Sequence, residues 1–144
     1  MPADKQVLVF LEIEQGALHP MAAEALQAGR QAAQGLDVEL AAVVLGSGIA
    51  QAAEQVRYYG VNRVFVLEHP LLETYHAEYF CQALSEVCRT ALPAVVFMVN
   101  TLTVQDLASR LAWKLEAGLV TDCVSLEVDA GELNLIKPIY SGNV

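Results

Sequence analysis

The chain has 144 residues, 8 of them basic and 17 acidic, for a net charge of -9. That balance opposes binding to a phosphate backbone or an anionic membrane, so neither nucleic acid nor a membrane is an expected partner. A hydrophobic fraction of 55% against 17% charged, with mean hydropathy +0.39, points to one domain whose surface is partly covered by something else. No apolar run approaches the ~20 residues of a membrane span. The N-terminus, MPADKQVLVFLEIE, carries acids where a secretory signal carries bases, which sets a cytoplasmic expectation.

In chain order, strand and helix alternate. Residues 7–14 (VLVFLEIE) read as a first strand. Pro20 stands where the first residue of a helix belongs, and the alanine-rich run 21–34 continues that helix until Gly35. Residues 38–46 (VELAAVVLG) form a second strand, followed by Gly46-Ser47-Gly48 and a helix over 49–59 that Gly60 stops. RVFVLE (63–68) is a third strand.

A longer helix follows over 75–90, with Tyr79, Phe80, Ala83, Leu84, Val87 and Cys88 at three- and four-residue spacing. AVVFMV (94–99) is a fourth strand, apolar on both faces, which belongs in a sheet covered by helices on both sides. Thr103 and Asp106 are spaced as a capping box for the next helix, and Leu107, Leu111 and Leu115 make its stripe. Gly118 closes it. Leu119, Val120 and Thr121 then read as a short fifth strand before Asp122. SLEV and LNLIKP make a hairpin turned at residues 129–132. The whole predicts an α/β domain, three-layered and mostly parallel, with a C-terminal β-hairpin; IKPIYSGNV looks like a linker leaving it.

Chemical motifs are few. Gly46, Ser47 and Gly48 sit where doubly wound folds receive phosphates on free backbone N–H groups, yet there is no GxGxxG and no Walker lysine, and a tight turn is the competing reading. Thr101 and Thr103 offer hydroxyls at a helix start that lacks glycine; capping competes there. Glu73 and His76 have the Glu-x-x-His spacing of helix-borne metal ligands without the second copy such sites need, so no metal is expected. His19 and His69 stand beside prolines in loops, where solvation is the ordinary fate. Asp122 and Glu127 could pair, but acids flanking a strand are commonly solvated. Cys81, Cys88 and Cys123 show no CxxC or zinc spacing, and no catalytic constellation emerges.

One resemblance carries further. VLV at the start, VVLGSG after the second strand, DLASRLAWKLEAGLVTD and the closing KPIYSGN together resemble the N-terminal domain of the electron transfer flavoprotein alpha subunit, in the same order over essentially the whole chain. The resemblance implies a fold akin to adenine nucleotide alpha hydrolases and a heterodimer with a beta subunit. It implies an electron carrier rather than an enzyme, passing electrons from acyl-CoA or other dehydrogenases through FAD to a quinone oxidoreductase or related acceptor. In such subunits FAD is held mainly by a second domain after the Tyr-x-Gly-Asn linker, and this chain stops at that point, so no FAD is expected on it alone.

The sequence also departs from the family pattern. Thr103, Val104 and Gln105 stand where the family has a Ser-x-Gly-Arg or Gly-Lys element, and Ser109 replaces a common proline. No tightly held nucleotide is expected. Leu119, Val120, Thr121, Asp122 and Tyr140 are the interface candidates, for the beta subunit, for the FAD domain of the alpha subunit, or for a homodimer of the isolated domain. A nucleotide-binding stress or sensor module of the same broad fold is the alternative, to be separated by ATP titration.

Overall fold

The computed structural model describes residues 6–99, 101–116, 125–129 and 132–136, the last two stretches as strand backbone. Four strands make one parallel sheet: β1 (Gln6–Phe10), β4 (Glu39–Gly46), β5 (Arg63–Glu68) and β6 (Val95–Met98), in the order β5-β4-β1-β6. Between β1 and β4 lie a small hairpin, β2 (Ile13–Glu14) and β3 (Ala17–Leu18), and then helix α1 (Ala22–Leu36). Helix α2 (Ala50–Arg57) links β4 to β5, α3 (Ala77–Ala91) links β5 to β6, and α4 (Leu102–Leu115) follows β6. Strands β7 (Ser125–Asp129) and β8 (Glu132–Ile136) pair as an antiparallel hairpin whose register sets Asp129 opposite Glu132, the turn position read from the sequence. That hairpin lies along α1.

Side chains alternate between the two faces of the sheet. Leu8, Phe10, Ala41, Val43 and Leu45 point to the layer of α3 and α4, where Phe80, Leu84, Val87, Leu107 and Leu111 meet them. Val7, Val9, Leu40, Ala42 and Val44 point to α1 and α2, and there the partners are mostly small: Ala22, Ala25, Ala32 and Ala33 with Leu26 and Val56. Both faces of β1 and β4 are buried, which is why these strands carry almost no polar residue and why a parallel sheet could be read from composition. Gly29 shows how close α1 comes: a Cβ there would lie 2.5 Å from Val9 Cγ2.

Several boundaries differ from the sequence expectations. The first strand stops at Phe10 rather than running to residue 14, because Gln15 and Gly16 both take positive φ (51° and 81°) and fold residues 13–18 back into a two-residue-loop hairpin. Helix α1 begins after Met21, leaving Pro20 in the preceding turn, and it runs through Gly35 to a left-handed cap at Asp37. Helices α3 and α4 likewise end on left-handed Leu92 and Glu116, so no glycine stops them. The segment before α3 is a 3-10 turn (Pro70–Leu72), and α3 starts at Ala77 instead of Tyr75. The cap of α4 is Thr101, two residues ahead of the Thr103 box. Gly118, the proposed fifth strand and the interface candidates Leu119, Val120, Thr121, Asp122 and Tyr140 lie outside the described residues.

Candidate functional site

In an open parallel sheet, ligands are received beyond the carboxyl ends of the strands, where the connection reverses direction. Here the chain steps from β1 outward to β4 and β5 and then crosses to β6 on the other side of β1, so the reversal lies between β1 and β6. Two of the helix starts at this edge carry residues singled out in the sequence, that of α4 beside the reversal and that of α2 after β4. Each presents backbone N–H groups and the positive end of a helix dipole, the features that attract anions.

At the reversal, Thr101 is the cap of α4. Its hydroxyl oxygen accepts the N–H of Val104 (3.1 Å), and its hydroxyl donates to the Glu12 carboxylate (2.7 Å), which arrives from the end of β1. The pair spans 89 residues of sequence and brings a negative charge to the helix start where an external anion would otherwise be drawn. At the second start, Gly46 is the last residue of β4, and a Cβ on it would lie 2.6 Å from Ile49 Cγ2, so a glycine is required for the tight bend. Gly48 takes φ +68°, and its N–H donates to Glu68 Oε2 (2.9 Å) at the end of β5. The Gly46 carbonyl accepts the N–H of His69 (3.0 Å).

Both anion-attracting positions therefore face a carboxylate of the protein itself. A phosphate entering either would displace that carboxylate or sit against it, at a like-charge cost. Among the described residues, neither of these two helix starts therefore suits the pyrophosphate of FAD. Neither contact is legible in the sequence, since Glu12 falls inside the expected strand 7–14 and Glu68 at the end of strand 63–68, each remote in sequence from the loop it serves.

The same edge is tied by further side chains. Tyr75 donates to Asp106 Oδ2 (2.6 Å), and Arg110 Nε donates to both Asp106 oxygens (3.1 and 3.2 Å). The Tyr75 hydroxyl bond and then the Arg110 guanidinium hold the Asp106 carboxyl below the usual carboxylate range, while burial and the Asp106 bond push the Tyr75 phenol above its ordinary value. Asp106, expected to complete a capping box, instead joins the start of α4 to the segment before α3. His19 and His69 are not merely solvated: each Nδ1 accepts the backbone N–H two residues ahead, from Met21 (3.0 Å) and Leu71 (3.1 Å), which fixes the turn at each His-Pro.

The other candidates assemble no shared site among the described residues. Cys81 and Cys88 are buried free thiols on one face of α3, and burial pushes the Cys88 thiol up to about 11, out of reach of thiolate chemistry at neutral pH. Glu73 lies at the end of the 3-10 turn while the His76 ring stacks on Tyr79 (4.3 Å); no group of three or more metal-ligating side chains is assembled among the described residues. Among those residues, no helix is long and apolar enough to cross a membrane.

Comparison of the sequence with known proteins identifies its relatives. Residues 7–144 match the family model described as the electron transfer flavoprotein domain. Protein FixB of Azorhizobium caulinodans is 39% identical over 146 residues, covering 99% of this chain and 40% of the relative. The electron transfer flavoprotein subunit alpha of Bacillus subtilis is 33% identical over 138 residues, covering 96% of this chain and 42% of the relative. That of Thermoanaerobacterium thermosaccharolyticum is 32% identical over 141 residues, covering 97% and 43%. The chain thus spans about two fifths of the length of the curated relatives it matches. It belongs to the electron transfer flavoprotein family.

Proposed function

We propose that this chain is a structural, partner-binding domain of an electron transfer flavoprotein alpha-type subunit, an electron carrier component and not itself an enzyme. In this reading it joins a beta subunit and a flavin-holding domain. The assembly moves electrons from acyl-CoA or other dehydrogenases through FAD to a quinone oxidoreductase or related acceptor. The observation that supports a scaffolding role over a nucleotide pocket is the pair of carboxylates, Glu12 and Glu68, that occupy the two helix starts where an anionic ligand would be drawn.

The test is calorimetric titration of the purified chain with AMP and with ATP, and a visible spectrum of the same preparation. The expected result is a colourless protein with no heat of binding at sub-millimolar nucleotide. Saturable micromolar binding would sink the scaffold reading in favour of a nucleotide-binding sensor module. A stoichiometric flavin spectrum would show that cofactor binding resides in this domain.

A further inference from the structure

We propose that the free edge of β5 is a dimerisation edge: a second copy of this chain adds its own β5 there, antiparallel about a two-fold axis, and the two sheets become one. This goes beyond the reading above and does not rest on it. Strand β5 closes one end of the sheet and pairs with β4 alone among the described residues. Adjacent residues of an extended chain turn their N–H and C=O groups to opposite sides. The Asn62 N–H donates inward to the Leu40 carbonyl (2.8 Å), so Arg63, Phe65 and Leu67 present their backbone groups outward. Such a row of unpaired donors and acceptors is a template for another strand.

Natural edges are blunted by lysine, proline, a bulge or a very short strand, and β5 uses none of these. RVFVLE holds neither lysine nor proline, its register with β4 runs unbroken from Arg63 to Glu68, and it has the length of an ordinary strand. Its apolar side chains are incompletely covered. Where β4 is buried from Leu40 to Gly46, Val64, Phe65 and Leu67 are half-buried and Val66 is 45% exposed. The order of residues along the strand names the occupant. With Phe65 on the two-fold axis, Phe65 meets Phe65, Arg63 meets Leu67 and Val64 meets Val66, so every outward residue of each copy finds an outward residue of the other. No like charges stand opposite each other in that register. The Arg63 end of one strand lies beside the Glu68 end of the other, whereas an in-register parallel addition would set Arg63 beside Arg63. Pairs between valines and between aromatic rings are the cross-strand contacts that stabilise such ladders.

Sedimentation velocity of the 144-residue chain across a concentration series reads the association, and amide hydrogen exchange at both ends of that series reads the edge. Val66→Lys gives the strand the charge that blunted edges carry. Leu102→Ser with Trp113→Ser removes two more exposed apolar side chains (84% and 85%) from α4, which follows β6 at the other end of the sheet. Circular dichroism checks that each variant is folded. The expected result is a monomer–dimer equilibrium in the parent, a dissociation constant at least about tenfold higher for Val66→Lys, and no change for the α4 variant. The amides of Arg63, Phe65 and Leu67 should exchange more slowly at high concentration than at low. That measurement uses the parent alone, so it decides the matter even if Val66→Lys does not fold. A parent that is monomeric at every concentration overturns the proposal. So does a dimer that leaves those amides unprotected and survives Val66→Lys, because its contact lies elsewhere. Protection of the same amides in the monomer overturns it too, by showing that another segment of the chain already covers the edge. The family role is judged separately, by the nucleotide and flavin measurements above.

Discussion

The two faces of the sheet solve the same problem in opposite ways. Toward α3 and α4 the core is filled by bulk: Phe80, Leu84, Leu107 and Leu111 reach down onto Leu8, Phe10 and Val43. Toward α1 it is filled by proximity, with four alanines and Gly29 letting the helix backbone come down onto Val7, Val9 and Leu40. Interiors are packed to crystal-like density either way. A face packed by bulk is sensitive to what is removed, and a face packed by proximity to what is added.

The largest expected effect breaks the first face. Leu84→Ala or Leu107→Ala, each at 0% exposure, leaves a cavity between helix and sheet and should cost about 2–5 kcal/mol in urea unfolding. A loss below about 1 kcal/mol would mean that the layer collapses to fill the space. The second face answers to the reverse change. Gly29→Val puts a branched side chain where even a Cβ would meet Val9 Cγ2 at 2.5 Å and Leu40 Cδ1 at 3.1 Å, and should cost about 1–3 kcal/mol despite removing a glycine from a helix. Equal or greater stability after that substitution would refute close approach as the packing principle of α1.

Two smaller effects sharpen the comparison at the carboxyl edge, where both layers are fastened. Thr101→Ala removes the α4 cap and the Glu12 partner at once, and about 0.5–2 kcal/mol should be lost, with Thr101→Ser restoring most of it. If serine restores nothing, the methyl group and not the hydroxyl was responsible. The smallest effect concerns Asp106, which lies at the surface. Its pKa is lowered in the folded chain, so its contribution is in place above the ordinary carboxylate pKa of about 4 and disappears as pH falls below that. Asp106→Asn should therefore differ from the parent at neutral pH and converge with it in acid. The same change should let Tyr75 ionise at lower pH in an ultraviolet titration, since the phenol loses the acceptor that contributes to its raised pKa. A constant offset at every pH would remove titration of Asp106 from the account.

The sequence made the layers visible because burial on both faces leaves an unmistakable record: VLVF and LAAVVLG have no room for charge. It misplaced the helix ends because those ends break the ordinary rule. Asp37, Leu92 and Glu116 take left-handed φ values of 58°, 50° and 55° where glycine is favoured, while Gly35 lies inside α1. The candidate site was half legible. Gly46 and Gly48 identified a tight turn correctly, since one meets Ile49 and the other needs positive φ. What fills that turn comes from Glu68, 20 residues away, and what fills the α4 start comes from Glu12, 89 residues away; no local pattern encodes either contact. The proline and histidine pairs at 19–20 and 69–70 did carry a signal, a side-chain acceptor placed to hold a turn.

The β7–β8 hairpin lies along α1, so chain segments about a hundred residues apart close the same layer. Strands β1, β4 and β5 need only the short connections between neighbours in sequence, whereas β6 returns to β1 across some 85 residues and the hairpin returns to α1 across more. Loop closure before reward slows such pairings. Folding should therefore proceed from a nucleus of β1, α1, β4 and β5, with β6 and then the hairpin added late, and pulsed hydrogen exchange should find the amides of β4 protected before those of β7. A domain that emerges from the ribosome in this order can hold its first strands in place while the segment that completes the α1 side is still being made.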